Sequence, residues 1–158
     1  MNKIMIGILT FLVWIMPWFT PWYTALQQRT FDENVIWSQV VQCVENHDAA
    51  ALAAMSRPWL KNNVPNLAGK IGELLDMMEG EIEGVVPLPG SYPSYYEGVS
   101  SAGKTFGILT DADEAYTLRV VYEYTNVRDR NEIGFARFQL VRGLNGRTLA
   151  DIKTPQYK

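Results

Sequence analysis

The sequence predicts an α+β fold in which three helices come first and pack on an antiparallel sheet. Two periodicities carry this prediction. Apolar residues recur every three to four positions as far as Met78, as in an amphipathic helix. From Glu81 onward they alternate with polar residues, as in half-buried strands. An uncharged apolar segment precedes both regions, and residues 31–158 are long enough for one domain with its own core.

The N-terminal segment between Lys3 and Arg29 contains no charged residue. As a helix, residues 4–28 would be about 37 Å long, which exceeds a hydrocarbon core of about 30 Å. Pro17 and Pro21 favour a kink within that helix. Tryptophans gather toward its far end, as expected where a helix meets the lipid headgroups. The segment is therefore interpreted as a signal anchor that contacts the membrane.

A cleaved signal peptide is the alternative interpretation of residues 1–28. The basic start and the apolar run are present, but cleavage after Ala25 would place bulky Tyr23 where a small side chain is preferred. The single cysteine, Cys43, lies beyond the apolar run, which excludes lipoprotein processing there. With Lys3 in the cytoplasm, the following domain is extracytoplasmic, either membrane-anchored or secreted.

The predicted helices cover Asp32–Asn46, Ala49–Met55 and Leu67–Met78. Asp48 is expected to cap the second helix, and Trp59 and Leu60 follow it as packing anchors. The third helix has the most regular apolar stripe. Gly80 stands just beyond it, where a left-handed C-cap is common.

The most regular predicted strand is Tyr116–Thr125, and its partner is Glu132–Val141. The alternation slips in the partner strand. One extra residue near Ala136 or Arg137 would form a bulge that bends the sheet. That bulge would return four apolar residues to one face, namely Ile133, Phe135, Phe138 and Leu140. Less regular segments are strands at Glu81–Val86 and Tyr95–Leu109, a loop at Leu88–Ser94 and a short last strand after Asn145-Gly146.

The order of helices followed by a bent sheet resembles the nuclear transport factor 2-like (cystatin-like) α+β roll. More specifically, Val44–Ser56 and Ile71–Ile82 are similar to bacterial envelope lipoproteins of a domain-of-unknown-function family. In that family a helix ends in an Asp-x-x-Glu-Gly-like stretch before the first strand, and Asp76–Gly80 matches it here. The resemblance covers roughly Phe31–Gly143 and implies a curved sheet and an envelope location without an established activity. This chain lacks the lipidated cysteine.

Composition excludes several kinds of partner. A net charge of -3 and a pI of about 5.2 argue against nucleic acid, which requires clustered Lys and Arg. Cys43 lies at helical spacing from Val40 and is interpreted as a small core residue, with intermolecular pairing as the alternative. Cys43 and His47 would supply half of a metal site, but no further ligands accompany them. The sequence therefore predicts no metal, no cofactor and no nucleic-acid partner.

Residues Gly98–Thr105 satisfy the pattern G-x-x-x-x-G-K-[ST] of phosphate-binding loops. The mechanism requires a buried strand before Gly98 and a helix that begins near Lys104. Residues 91–97 contain no continuous apolar run, and residues 106–110 favour a strand. The context therefore favours a glycine-rich hairpin with an exposed lysine over nucleotide binding.

Four residues are candidates for ligand binding: Trp59, Tyr122, Tyr124 and Arg137. They are expected to line a cavity between the sheet and the helices, where a small apolar ligand would bind. Core packing is the simpler explanation of the two tyrosines. An acidic run is interpreted as a solvated surface rather than a cation site, and it comprises Glu73, Asp76, Glu79, Glu81 and Glu83.

Two hypotheses about function remain. The first is a noncatalytic binding or scaffold module of the envelope, which contacts another envelope protein or a small ligand through its curved sheet. The second, implied by the resemblance, is an enzyme that uses the pocket of the roll for acid–base isomerase or dehydratase chemistry. That chemistry needs a titratable side chain inside the pocket, whereas Asp111, Asp113 and Asp129 fall in predicted turns. The first hypothesis is therefore favoured, and no catalytic residue is predicted.

Overall fold

The computed structural model describes residues 33–96, 98–129, 131–144 and 146–155. The predicted membrane segment, residues 4–28, lies outside these residues. None of the described helices is both long enough and apolar enough to cross a bilayer. By its contacts the chain divides into two units, Met1–Asn34 and Val35–Lys158, and nearly all described residues belong to the second.

Four helices precede the sheet in the described residues: α1 over 33–45, α2 over Ala49–Ala54, α3 over Pro58–Asn63 and α4 over Leu67–Asp76. As predicted, Asp48 caps α2, and its Oδ1 accepts a hydrogen bond from the backbone N–H of Ala51 at 2.9 Å. Gly80 has φ +87°, in the left-handed region, but it is not the C-cap of α4 as predicted, because the helix ends at Asp76 and its C-cap is Met77 with φ -72°.

The prediction of only three helices was wrong, because Trp59 and Leu60, which were predicted only as packing anchors after the second helix, lie in a further helix, α3. Six residues are too few for an apolar period to show in the sequence. Pro58 begins the helix, where its fixed φ is favourable and its missing N–H has no cost. Leu60 is fully buried, so tertiary packing stabilises this short helix.

Six strands form one sheet with antiparallel pairing throughout. They are β1 Ile82–Pro87, β2 Tyr92–Tyr96, β3 Val99–Thr110, β4 Ala115–Asn126, β5 Gly134–Arg142 and β6 Thr148–Lys153. The order is β1-β3-β4-β5-β6, and β2 pairs with the first half of β3 on the same edge as β1. The predicted α+β class, with an antiparallel sheet after the helices, is confirmed.

The predicted loop and strand between Leu88 and Leu109 were partly wrong. The chain forms two strands there, β2 and β3, which turn at Gly98 with φ +87°. The strand β2 was not predicted because Pro93 lies within it, and proline is uncommon inside strands. Proline is tolerated there because β2 is an edge strand.

The bulge predicted in the second of the two main strands is present in β5. Val121 pairs with Arg137, and the next residue, Tyr122, pairs with Phe135, so Ala136 is the extra residue. Three of the four apolar residues share the buried face as predicted, namely Phe135, Phe138 and Leu140. Ile133 does not share it, because it precedes β5 and is 39% exposed.

The core lies between the helices and one face of the sheet. Trp37 of α1 meets Phe106 of β3 edge to face, with ring centroids 6.2 Å apart. Burying each large apolar side chain stabilises the fold by roughly 1.5–3 kcal/mol. Residues on the other parity of β3, β4 and β5 face away from this core, on what we call the open face of the sheet. The fully buried apolar side chains of the core include Val40, Leu52, Ile71, Leu74, Phe106, Leu118, Phe138 and Leu140.

The segment between α2 and α3 lies against the start of β5. The N–H of Phe135 donates to the carbonyl of Met55 at 3.1 Å, and the N–H of Arg57 donates to the carbonyl of Phe135 at 3.0 Å. Gly134 has φ +134°, and a Cβ there would lie 2.7 Å from the nitrogen of Arg57. Only glycine therefore permits this approach, which brings Arg57 over the open face.

Candidate functional site

The open face of the sheet carries a groove of about 730 Å³, which we call the polar groove. Ligand pockets are typically about 300–1,000 Å³ in volume. Residues before and within β2 form one wall, including Leu88, Pro89 and Tyr92. Leu144, in the turn between β5 and β6, lies at the other side. The floor is made by β3, β4 and β5, from Ser101, Gly103, Thr105, Thr117, Arg119, Val121, Arg137 and Gln139.

Strand register sets the chemistry of the floor. Thr105 of β3 pairs with Arg119 of β4, which pairs in turn with Gln139 of β5. Paired residues of neighbouring strands point to the same face, so these three polar side chains form a row across the groove. Gly103, two positions from Thr105 on the same face, has no side chain and leaves space beside the row.

Arg119 is the exposed cation of this row. Its Nη2 donates to the carbonyl oxygen of Leu144 at 3.3 Å, and no carboxylate of the described residues pairs with it. Arg137 differs, because its Nε and Nη2 donate to the two carboxylate oxygens of Asp151 at 2.8 and 2.9 Å. The guanidinium of Arg119 is therefore the one in the groove that has donors available for a ligand anion.

Asp151 lies between two cations at this side of the groove. Lys153 Nζ lies 3.0 Å from Oδ2 of Asp151, beside the contacts from Arg137. Partial burial by itself would raise the pKa of Asp151, but hydrogen bonds from Arg137 and Lys153 and their positive charges outweigh it and lower the pKa. Four cations, Lys104, Arg119, Arg137 and Lys153, against Asp151 leave a net charge of +3, although the whole chain carries -3. None of the described residues that line the groove is acidic.

A second depression of about 460 Å³ adjoins the polar groove, and we call it the apolar hollow. The two share Thr117 and Leu144. Three large apolar side chains in it are exposed to water: Val86 at 61%, Leu109 at 48% and Leu144 at 66%. The rest of the lining includes four small residues, Gly84, Gly107, Ala115 and Gly143, and one acidic residue, the exposed Glu83. The open face is thus cationic in one half and apolar in the other.

The turn between β5 and β6 is fixed against the open face at the boundary between the two depressions. The hydroxyl of Thr117 donates to the carbonyl of Gly143 at 2.8 Å. The N–H of Gly143 donates to the carbonyl of Ala115 at 2.7 Å. Because these bonds hold Gly143, the next residue, Leu144, lies at the junction of groove and hollow.

A buried ion-pair cluster lies beyond the other end of the groove. Nη1 of Arg57 is 2.7 Å from Oε1 of Glu123, and Nε is 2.8 Å from Oε2 of Glu132. That Oε2 also accepts the backbone N–H of Trp59 at 3.0 Å. Glu123 pairs in register with Ser101 of the groove floor on one side and with Gly134 on the other. We call these residues the Arg57 cluster, and none of the three lines either depression.

Sequence reasoning missed the Arg57 cluster. The alternation in β4 puts Glu123 on the same face as Arg119, and nothing in that pattern indicates that Glu123 is buried. The structure covers Glu123 completely with the segment that carries Arg57. The one signal was a lone Arg between two short helices, which does not identify its partner.

The four predicted ligand-binding residues do not converge on one cavity. Tyr122 packs on Phe135 with ring centroids 5.2 Å apart, and Trp59 and Tyr124 also pack against the core. Arg137 pairs with Val121, next to Tyr122 along β4, so it faces the open side and lines the polar groove. The expected cavity would need all four on one face. Their role in binding a ligand stays a prediction.

The phosphate-loop pattern lies in an extended strand. Residues Val99–Thr110 are all in β3, so no helix begins after Lys104. The side chain of Lys104 donates to the carbonyl of Gly90 at 3.1 Å.

The acidic run around Gly80 is exposed, and Glu79 in it lies 3.4 Å from Arg142. Burial, and then the charge of Asp48, raise the pKa of the Cys43 thiol.

Among the described residues, no three His, Cys, Asp or Glu side chains form a group that could hold a metal ion.

A family model described as a domain of unknown function (DUF5104) matches residues 39–143. The match begins within α1 and ends after β5, so it includes the floor of the polar groove and the Arg57 cluster. No curated protein matches the chain.

Proposed function

We propose that this chain, which belongs to the DUF5104 family, is a noncatalytic binding module that acts outside the cytoplasm. In this proposal its ligand occupies the polar groove on the open face of the sheet. The observation that carries the proposal is the row of Thr105, Arg119 and Gln139, in which an exposed guanidinium stands among hydrogen-bonding side chains. Binding sites commonly combine a concave surface with a few convergent polar groups.

The charges around the groove support an anionic ligand. Arg119 has no carboxylate partner among the described residues, and the described lining contains no Asp or Glu that would repel an anion. Glu123 lies near the end of the floor, but Arg57 and the covering segment separate its charge from the groove. The groove therefore attracts negative charge even though the chain as a whole is acidic.

The same lining favours binding over acid–base catalysis. Its described titratable side chains are Tyr92, Lys104, Arg119 and Arg137, and none of them is a His, Asp or Glu, the residue types that most often act as a general base. Lys104 is engaged with a backbone carbonyl, and Arg137 is paired with Asp151. An isomerase or dehydratase would need a general base within reach of the bound ligand. The lining offers a cationic anchor instead.

The uncharged segment at residues 4–28 supports an envelope location, with the domain either anchored to the membrane or secreted. The order of helices before a bulged antiparallel sheet supports a nuclear transport factor 2-like roll. A second bulge at Tyr124, between the pairs Ser100–Thr125 and Ser101–Glu123, would add to the bend.

Site-specific photo-crosslinking in intact cells that express the full chain tests the binding site. A photoreactive residue replaces Gln139 on the groove floor, and a matched variant replaces exposed Glu45 on α1. We expect an adduct of defined mass from position 139 and none from position 45. Adducts of equal yield from both positions, or no adduct from position 139, would overturn the proposed site.

Mass spectrometry of the chain from membranes and from the medium tests the location. A chain that retains Met1 in the membrane fraction indicates an anchor, and a chain that begins near Leu26 in the medium indicates cleavage. Labelling of Lys70 in intact cells by an amine reagent that cannot cross the inner membrane is expected in either case. An unlabelled lysine that reacts only after the inner membrane is opened would contradict the extracytoplasmic location.

A further inference from the structure

We infer that the ligand is a single-chain amphiphile with one negative charge, an alkyl carboxylate whose head binds Arg119 and whose chain lies in the apolar hollow. This inference rests on the proposed function, because it takes the polar groove as the binding site. It adds the chemical class of the ligand and the direction in which the ligand lies.

The carboxylate head of the ligand is inferred from the hydrogen-bond donors on the groove floor. A guanidinium presents parallel N–H groups that match the two oxygens of a carboxylate. Arg119 is exposed, and its cross-strand neighbours Thr105 and Gln139 supply further donors at its sides. Arg137 already uses two nitrogens on Asp151. One available guanidinium matches a head with a single charge better than a phosphate dianion.

The alkyl chain of the ligand is inferred from the apolar hollow. Val86, Leu109 and Leu144 are each about half or more exposed, and they surround a depression whose lining also includes four small residues and, as its one acidic residue, Glu83. Removing this apolar surface from water favours the binding of an alkyl chain there. A contiguous exposed apolar patch of this kind on a soluble surface is typical of a binding site.

One residue joins the two halves. The carbonyl of Leu144 accepts a hydrogen bond from Arg119, while Leu144 also lines both the groove and the hollow. Thr117 is shared as well. The anion site and the apolar site are therefore adjacent, and one ligand can occupy both. A small anion would leave the hollow exposed to water, and a hydrocarbon would leave Arg119 without an anionic partner.

Photolabelling of the full chain in lipid nanodiscs tests this inference. The probe is dodecanoate with a diazirine in the middle of its chain, and peptide mass spectrometry locates the label. We expect label on residues of the apolar hollow. Unmodified dodecanoate should compete at least about tenfold better than dodecanol, because an ionic hydrogen bond contributes at least that factor. Acetate should not compete at equal concentration.

Two variants test separately how the carboxylate head and the alkyl chain of the ligand contribute to binding. Arg119→Gln should reduce labelling at least about tenfold, whereas the control Arg147→Gln, exposed and outside both depressions, should leave it unchanged. Gly84→Leu should block the hollow, since a Cβ at Gly84 meets nothing within 4 Å and the added side chain fills open space. The control Gly72→Ala, on α4, makes an ordinary 3.8 Å contact with Ala49. Thermal unfolding confirms that each variant folds.

Each other outcome overturns the inference. Equal competition by dodecanol means that the charged head does not contribute to binding. Equal competition by acetate means that the alkyl chain does not contribute to binding. Label spread evenly over the surface means that the probe only partitions into lipid. If the probe fails while position 139 still gives an adduct in cells, the amphiphile is wrong and the binding site remains. If position 139 gives no adduct either, both proposals fall.

Discussion

Two clusters in this protein each place one arginine between two glutamates, and they differ mainly in exposure. In the Arg57 cluster the side chains of Arg57, Glu123 and Glu132 are 7%, 0% and 18% exposed. On the surface, the side chain of Arg142 is 44% exposed and lies 2.6 Å from Glu114 and 3.4 Å from Glu79. The chemistry of the two clusters is the same, so the comparison isolates the effect of burial.

Burial changes both sides of the energy balance. Removing charges from water is costly, and the attraction between them is stronger where water is excluded. A buried pair therefore adds little net stability as a whole, yet the loss of one partner is strongly destabilising. A surface pair contributes little to the free energy of unfolding, and removing one partner costs little, because water and salt screen its charges. The Arg57 cluster also joins the α2–α3 segment to two strands, whereas Arg142 joins only turns and strand ends.

The largest effect is expected from Arg57→Met. This change removes the cation from two carboxylates, one of them fully buried, and should lower the free energy of unfolding by about 3–5 kcal/mol. Denaturant unfolding of the full chain measures it. The double variant Arg57→Met/Glu123→Gln should recover part of the loss, since the buried charge is then absent. A loss below about 1 kcal/mol in the single variant, which is the range of surface pairs, would show that burial does not distinguish the clusters.

An intermediate effect is expected from Asp151→Asn, because this pair is partly buried, with side-chain exposures of 22% for Arg137 and 20% for Asp151. The fold lowers the pKa of Asp151, so the carboxylate form is favoured in the native state. Its stabilising effect is complete above the ordinary Asp pKa of about 3.9 and is lost as the pH falls through the lower value in the fold.

Unfolding measured from pH 7 down to pH 2 tests this sign. The wild-type chain should be more stable than Asp151→Asn at neutral pH, and the difference should shrink below about pH 4. A difference that grows on acidification would contradict the lowered pKa. Asp113→Asn, in an exposed turn, is the matched control and should show no comparable pH dependence.

The smallest effect is expected from Arg142→Ala on the surface. A hydrogen bond from Arg142, together with its charge, lowers the pKa of Glu114, but both side chains are open to solvent. The change in unfolding free energy should be close to the error of the measurement, and 1 M salt, with a Debye length of about 3 Å, should abolish it. The effect of Arg57→Met should persist in the same salt. A salt-sensitive Arg57 cluster would contradict the burial described here.

The parts of the fold that were predicted correctly depend on local patterns. The alternation in β4, the slipped alternation that placed the bulge near Ala136 and the cap at Asp48 are all readable over a few residues. The parts that were missed are short elements, α3 and β2, which tertiary contacts stabilise. Six and five residues are too few for a period to be distinguished from chance.

The candidate site could not be predicted, because its members are distant in sequence. Register brings together Thr105, Arg119 and Gln139 from three strands. Sequence reasoning placed Arg137 beside Tyr122 in one cavity, but register pairs it with Val121 instead and turns it to the open face. A change of one position in pairing reverses the face of a side chain, and no single strand contains that information.

The sequence by itself determined the α+β class, the antiparallel strands after the helices and the bulge in β5, because these follow from the periods of single segments. Only the tertiary structure decided which polar side chains are buried. Glu123 has the same local pattern as the exposed Arg119, and it is covered because Arg57, 66 positions away, packs over Gly134 to reach it. Burial of a charge depends on a partner from elsewhere in the chain, and that partner is set by packing.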